Sequence, residues 1–237
     1  MILNQFFKML SRQDLLTQAL NDTYEMAEVA NRQYNNVIRI TFDDLKRAVT
    51  PEEIEQVRKK DYLLNHFEKS IRKKVFEHLA VNDKEEQQLY TAFILTTIIN
   101  NFERIGDYTK NICEVAEIKH MLKDEEWNKK LLSYSEMIRE VFQDSLNAFK
   151  NGDAELAKKI IDRHYEIKSK INDDIVTVAT KEPSAIVNYA AYALFLRYLK
   201  RISSHLMNVA TSITNPIDKI GYYVGDEGGE VNEKDDE

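Results

Sequence analysis

The sequence predicts an all-α protein: two tandem, pseudo-repeated three-helix bundles built from six long helices. Three observations carry that prediction. Helix breakers are scarce, since only Gly106 and Gly152 precede Gly221 in a chain of 237 residues, and all three prolines fall at element boundaries. Between the breakers, apolar residues step by 3 and 4, and no run shows the period-2 alternation of a strand. The third segment repeats as the sixth, and the second as the fifth.

Caps place the elements in order. Ser11 to Asp14 reads as a capping box opening a helix that runs to about Thr41. Thr50, Pro51 and Glu53 give a stronger start, with Thr at the N-cap, Pro at the first helical position and Glu at the third. Asn82 and Asp83 separate this second helix from a third, which is expected to reach about His120. Asp124 opens a fourth, stopped near Asn151 and Gly152. Asp153 caps a fifth, expected to end at Glu182 and Pro183, and Ser184 begins a sixth that closes before Pro216. The expected division is 1–120 for the first bundle, 124–220 for the second and 221–237 for a tail.

The periodicity says how the helices pack. Leu95, Ile98, Phe102, Ile105, Thr109, Ile112 and Ala116 form one seam, and Tyr192, Phe195, Leu199, Ile202, Leu206, Val209 and Ile213 form another. Such 3,4 stripes belong to helices packed nearly parallel or antiparallel. A shift of 97 positions lays Arg104 on Arg201, Ile105 on Ile202 and Asn111 on Asn208. A shift of 103 lays Ile54, Val57, Asp61 and Leu64 on Ala157, Ile160, His164 and Ile167. Helices near 28 residues are roughly 40 Å long at about 1.5 Å per residue.

Composition removes several function classes. With 43% hydrophobic and 31% charged residues, the chain has material for a core and is not a disordered protein. No stretch near 18 apolar residues exists to cross a membrane. The net charge of −7 is concentrated at the end: residues 226–237 hold seven acids and one lysine, a net −6, leaving about −1 for the rest. A near-neutral body lacks the basic surface that nucleic acid or anionic lipid requires, which also disfavours a membrane-bending helical scaffold. One cysteine, Cys113, excludes a disulfide scaffold and a cysteine-built zinc site, and its place near an apolar seam makes an inert thiol the default. Residues 1–10 could form a short amphipathic helix through Ile2, Leu3, Phe6, Phe7 and Leu10. Neither a basic region nor a cleavage site marks them as a signal, and packing on the body is preferred to membrane docking. The expected location is cytoplasmic.

Glu103 and Asp107 are four residues apart and so share a helix face. Two carboxylates so placed can hold a cation, although acid pairs on a solvated face have the same spacing. Gly106 between them costs about 1 kcal/mol relative to alanine in mid-helix, which a close approach of backbone or ligand would explain. Asp61 interrupts the seam Ile54, Val57, Leu64, Glu68, Ile71, Val75, so it needs a partner, a cation or an opening to water. His164, its counterpart, reads as a hydrogen-bonded core histidine. No P-loop, dinucleotide fingerprint or nucleophile motif occurs. A di-iron carboxylate enzyme would need two Glu-x-x-His motifs, and Glu117 to His120 is the only one.

Glu103, Arg104, Ile105, Gly106, Asp107 and Asn111, preceded by Val57 and Asp61, spell ERIGD-x3-N after a V-x3-D helix. This resembles the PhoU family of phosphate-transport regulators, whose third helices carry ERIGDH-x2-NIAE; Tyr108 stands where the family often has His. The resemblance runs from about Leu15 to Gly225, where Tyr222, Val224 and Gly225 resemble the family's YxVxGE close.

The resemblance implies a non-enzymatic regulator of phosphate transport and signalling that acts through helical faces. It implies a phosphate transporter component and a phosphate-sensing histidine kinase as partners, and a homodimer. An accessory role for a Pit-type or sodium-coupled phosphate transporter is the related alternative. Family bundles bind metal through paired E/D-x3-D motifs. Carried over by position, Asp61, Glu103 and Asp107 remain as metal ligands for a divalent or iron-type ion on the first bundle, with Asn65 at the fourth position. In the second bundle the four positions read His164, Lys168, Lys200 and Ser204, so no metal is expected there. Arg104 and Arg201 recur in both repeats and are expected to make ion pairs or carbonyl contacts.

Overall fold

The computed structural model describes residues 14–42, 45, 47–80, 86–182 and 187–222. Six helices follow one another: α1 (Leu15–Phe42), α2 (Pro51–Ala80), α3 (Glu86–Ala116), α4 (Glu125–Asn151), α5 (Ala154–Ala179) and α6 (Tyr189–Thr214). Short 3₁₀ turns stand at Lys119–Met121 and Ile217–Lys219, and no strand occurs among the described residues. The expected all-α, six-helix architecture is therefore what the described residues adopt.

The caps behave as their residue types require. Thr50 N–H donates to Glu53 Oε2 at 3.0 Å and Glu53 N–H donates to Thr50 Oγ1 at 3.2 Å, a reciprocal capping box. Asp124 Oδ1 accepts from the backbone of Glu126 and Trp127, and Asp153 Oδ1 accepts from Leu156. Gly152 ends α4 in the left-handed region at φ 61°, a conformation that costs glycine nothing.

Three boundaries differ from expectation. α3 ends at Ala116 rather than near His120, because the chain turns so that Lys119 can donate from Nζ to the Ile40 carbonyl at 2.6 Å. α5 stops at Ala179, three residues short of Glu182, where the Thr180 N–H returns to the Val176 carbonyl. α6 begins at Tyr189 because Asn188, not Ser184, supplies the cap, its Oδ1 accepting from Ala191 at 3.1 Å. Ser11, residues 1–10, Asn82, Asp83, Pro183, Ser184, Gly225 and the acidic tail lie outside the described residues; Asp14 Oδ1 accepts from Leu16 at the start of α1.

α1, α2 and α3 pack on one another, as do α4, α5 and α6; α3 against α6 and α1 against α4 join the halves. Every residue of both predicted seams is buried, and the core is one continuous cluster. At the junction, the Tyr34 hydroxyl donates to the Ser135 carbonyl at 2.8 Å, and the rings of Tyr34 and Phe102 lie 6.0 and 6.3 Å from that of Phe142. The Asn101 amide oxygen meets His205 Nδ1 at 2.9 Å and accepts from Asn208 at 3.2 Å, tying α3 to α6.

Candidate functional site: the charged face between α2 and α3

α2 and α3 run antiparallel, and Gly106 of α3 packs against Leu64 of α2. A Cβ placed there would lie 2.4 Å from Leu64 Cδ1, so the missing side chain leaves the space that the Leu64 methyl occupies. This contact fixes the register and sets Asp61 of α2 opposite Lys110 of α3, and Arg72 opposite Asn100.

The three sequence-predicted acids do gather on this face, around cations supplied by the chain itself. Lys110 Nζ donates to Asp61 Oδ2 and to Asp107 Oδ1, each at 3.2 Å. Arg104 stands 3.3 Å from Asp107 Oδ2 and 3.7 Å from Glu103 Oε2, the ion-pair role expected of it. Burial, then the charge of Asp107, holds the Glu103 carboxyl above its ordinary value; Arg104 opposes this, and Glu68 and Asp61 add to it. Burial alone would lower the Lys110 ammonium, but its hydrogen bonds to Asp107 and Asp61 outweigh that and raise it, so it stays charged.

Two members of the cluster were not read as site residues from the sequence. Glu68 is a buried seam acid, paired with Arg72 at 2.8 Å, and Arg72 also donates to Asn100 Oδ1 at 2.5 Å. Glu68 lies seven residues from Asp61, two helical turns along the same face, and that spacing was the available signal. Lys110 is three residues from Asp107, but its reach to Asp61 depends on how α2 and α3 are aligned.

As arranged, these side chains fit an ammonium rather than a metal ion. Among the described residues, no three His, Cys, Asp or Glu side chains converge tightly enough to hold one. Lys110 stands between Asp61 and Asp107, Glu103 faces Arg104, and the Asn65 amide donates to the Asp61 carbonyl of its own helix at 3.0 Å.

The equivalent positions of the second half hold no carboxylate. His164 is fully buried, with Nδ1 2.9 Å from Ser203 Oγ. Lys168 lies over the Tyr165 ring at 5.5 Å, Lys200 donates to Asn172 Oδ1 at 3.0 Å, and Ser204 donates to the Lys200 carbonyl at 3.1 Å. Glu117 and His120 are exposed beyond the end of α3, so this Glu-x-x-His does not face a bundle interior. Cys113 is buried, and burial pushes its thiol up to about 11, out of the reactive range.

A sequence model described as the PhoU domain matches residues 23–116 and 131–213, one copy in each half. A Clostridium acetobutylicum protein named phosphate-specific transport system accessory protein PhoU homolog is 22% identical over 162 residues, covering 67% of this chain and 74% of that one. The crystal structure of PhoU from Pseudomonas aeruginosa superposes with a TM-score of 0.75 over 84% of this chain and 95% of its own, at 21% identity. The phosphate transport system regulatory protein PhoU from Streptococcus pneumoniae gives 0.68 over 84% and 92%, at 17% identity. The two structures share the fold. With both halves matched by the same domain, and with the ERIGD stretch lying on the α2–α3 face, this chain belongs to the PhoU family.

Proposed function

We propose that this chain is a non-enzymatic, cytoplasmic accessory protein of phosphate transport that works by contact of its helical faces. The observation that carries the reading is the PhoU domain match over both halves, together with a relative named for that accessory role. No described helix is long and apolar enough to cross a membrane. The proposed partners are a phosphate transporter component and a phosphate-sensing histidine kinase, with the chain acting as a homodimer.

The metal that family resemblance assigns to Asp61, Glu103 and Asp107 would have to displace Lys110 and turn Glu103 away from Arg104. The reading adopted is that Lys110 supplies the positive charge of this face, so the scaffold holds its shape without a resident ion.

Deletion of the coding sequence tests the accessory role. The expected result is altered phosphate uptake and altered expression of a phosphate-starvation reporter, both restored by the full chain, with a transporter component co-purifying under crosslinking. Unchanged uptake and reporter expression in the deletion strain would overturn it.

A further inference from the structure

The two repeats differ in character on one pair of equivalent faces. The shifts of 97 and 103 place Ala190 on Phe93 and Ala179 on Phe76, so two aromatic rings of the α2–α3 face become methyl groups on the α5–α6 face. Leu194 likewise replaces Thr97, and Ile175 replaces Arg72. In the first half, the polar members close the face: Arg72 is held by Glu68 and Asn100, and the hydroxyls of Thr96 and Thr97 donate to the Phe93 carbonyl at 2.8 and 3.0 Å. The hollow left there is about 480 Å³. In the second half, the space opens to a groove of about 1060 Å³.

That groove has an apolar floor and a cationic rim. Ile175, Val176, Ala179, Ala193 and Leu194 line it, and Val176 and Leu194 are 64% and 43% exposed on its opposing walls. Lys181, Arg197 and Lys200 are its charged members, and none of its described lining residues is acidic, although the chain as a whole carries −7. Lys200 occupies the position of Glu103, and Arg197 that of Asn100, so the charge has turned positive at the same places where the floor has turned apolar. The walls run over Asn172 to Lys181 and Asn188 to Lys200, which is roughly 15–20 Å of helix at about 1.5 Å per residue.

We propose that the α5–α6 groove receives an amphipathic helix of a partner protein, about three turns long, with an apolar stripe flanked by Asp and Glu. Small residues in the floor let a helix come close, and exposed Val176 and Leu194 offer anchorage to an i, i+3, i+4, i+7 stripe. Three cations with no acid among them select acidic flanks over basic ones and steer the approach. The proposal rests on the accessory-protein reading and gives the chemistry of one of its contacts.

The test pans the full chain against a phage-displayed library of 16-residue helical peptides, then measures an enriched sequence as a fluorescent synthetic peptide. The expected outcome is enrichment of an apolar stripe with acidic flanks. Affinity should fall at least about tenfold in Leu194→Asp and several-fold in Arg197→Glu, and should weaken with salt. Both substitutions are at the surface, and an unchanged melting temperature confirms that they leave the fold intact.

Enrichment of basic or stripe-free peptides, binding undiminished in both variants, or no enrichment would overturn the proposal. So would occupation by something else: phosphatidylglycerol vesicles bound through Leu194, self-association abolished by Leu194→Asp, or peptide binding that appears only after residues 223–237 are removed. If the groove fails while phosphate uptake still depends on the chain, the accessory role stands without it. Loss of the uptake phenotype removes the role itself.

Discussion

Lys110 of α3 reaches across to Asp61 of α2, its Nζ 3.2 Å from Oδ2, and so gives an acid that interrupts an apolar seam its partner. The same ammonium holds Asp107 at 3.2 Å, which makes one lysine the electrostatic bridge between two helices. Both acids are partly shielded, with side chains 17% and 29% exposed, so the pairing is less screened than a surface bridge.

Lys110→Met removes that bridge and leaves the carboxylates facing each other. A loss of about 0.5–1 kcal/mol is expected, read from urea unfolding. Elemental analysis of protein purified without a metal-affinity tag should find no stoichiometric metal in wild type. Stoichiometric metal in wild type that is lost in the double change Glu103→Ala, Asp107→Ala would return the role to a bound ion.

Gly106→Ala sets two effects against each other. Alanine gains about 1 kcal/mol of helix propensity. Its Cβ, however, would sit 2.4 Å from the terminal methyl of Leu64, a side chain only 1% exposed that must turn aside within the core, and overpacking costs about 1–3 kcal/mol. Net destabilisation is expected, and the double change with Leu64→Ala should be less than additive. A thermal scan showing Gly106→Ala more stable than wild type would contradict the close approach.

Glu103 makes stability depend on pH in an uncommon direction. Its carboxyl is held above its ordinary value in the folded state, so between that value and the raised one the native protein binds more protons than the unfolded chain. Stability from this group therefore falls as pH rises through the window and returns as pH drops. Glu103→Gln should gain on wild type between pH 4 and pH 7 in denaturant titrations; a difference that stays constant or shrinks over that range would be inconsistent with the raised carboxyl.

Lys119 is buried to 1% exposure and donates to the Ile40 carbonyl in the last turn of α1. A cation there satisfies a carbonyl that the helix leaves unpaired and opposes the helix dipole. Lys119→Met keeps the stem and removes the donor, with an expected loss of about 1–3 kcal/mol in chemical denaturation. Faster hydrogen exchange in the last turn of α1 would locate the effect.

The seams and most caps were legible in the sequence because both are local: a 3,4 stripe such as Leu95 to Ala116, or a Thr50 with its Glu53, is complete within one helix. The gathering of Asp61, Glu103 and Asp107 was legible only through family resemblance. Lys110 could not be read, since its contact with Asp61 spans 49 positions and depends on a register set by Gly106 and Leu64. The late start of α6 was hidden for a related reason, as both Ser184 and Asn188 are good caps and only tertiary packing chooses between them. The α5–α6 groove emerges from two alanines, which carry no chemistry of their own and gain meaning only beside Phe76 and Phe93.

The Tyr34 hydroxyl on the Ser135 carbonyl, with Phe142 packed between Tyr34 and Phe102, makes each half an unfinished object. Severed near Leu122, either half would carry a bare aromatic wall where its sibling had been. The tandem chain covers each wall with the other half, so the contact is intramolecular and permanent. Damage to either repeat is therefore expected to be inherited by the other, as a single thermal transition rather than two.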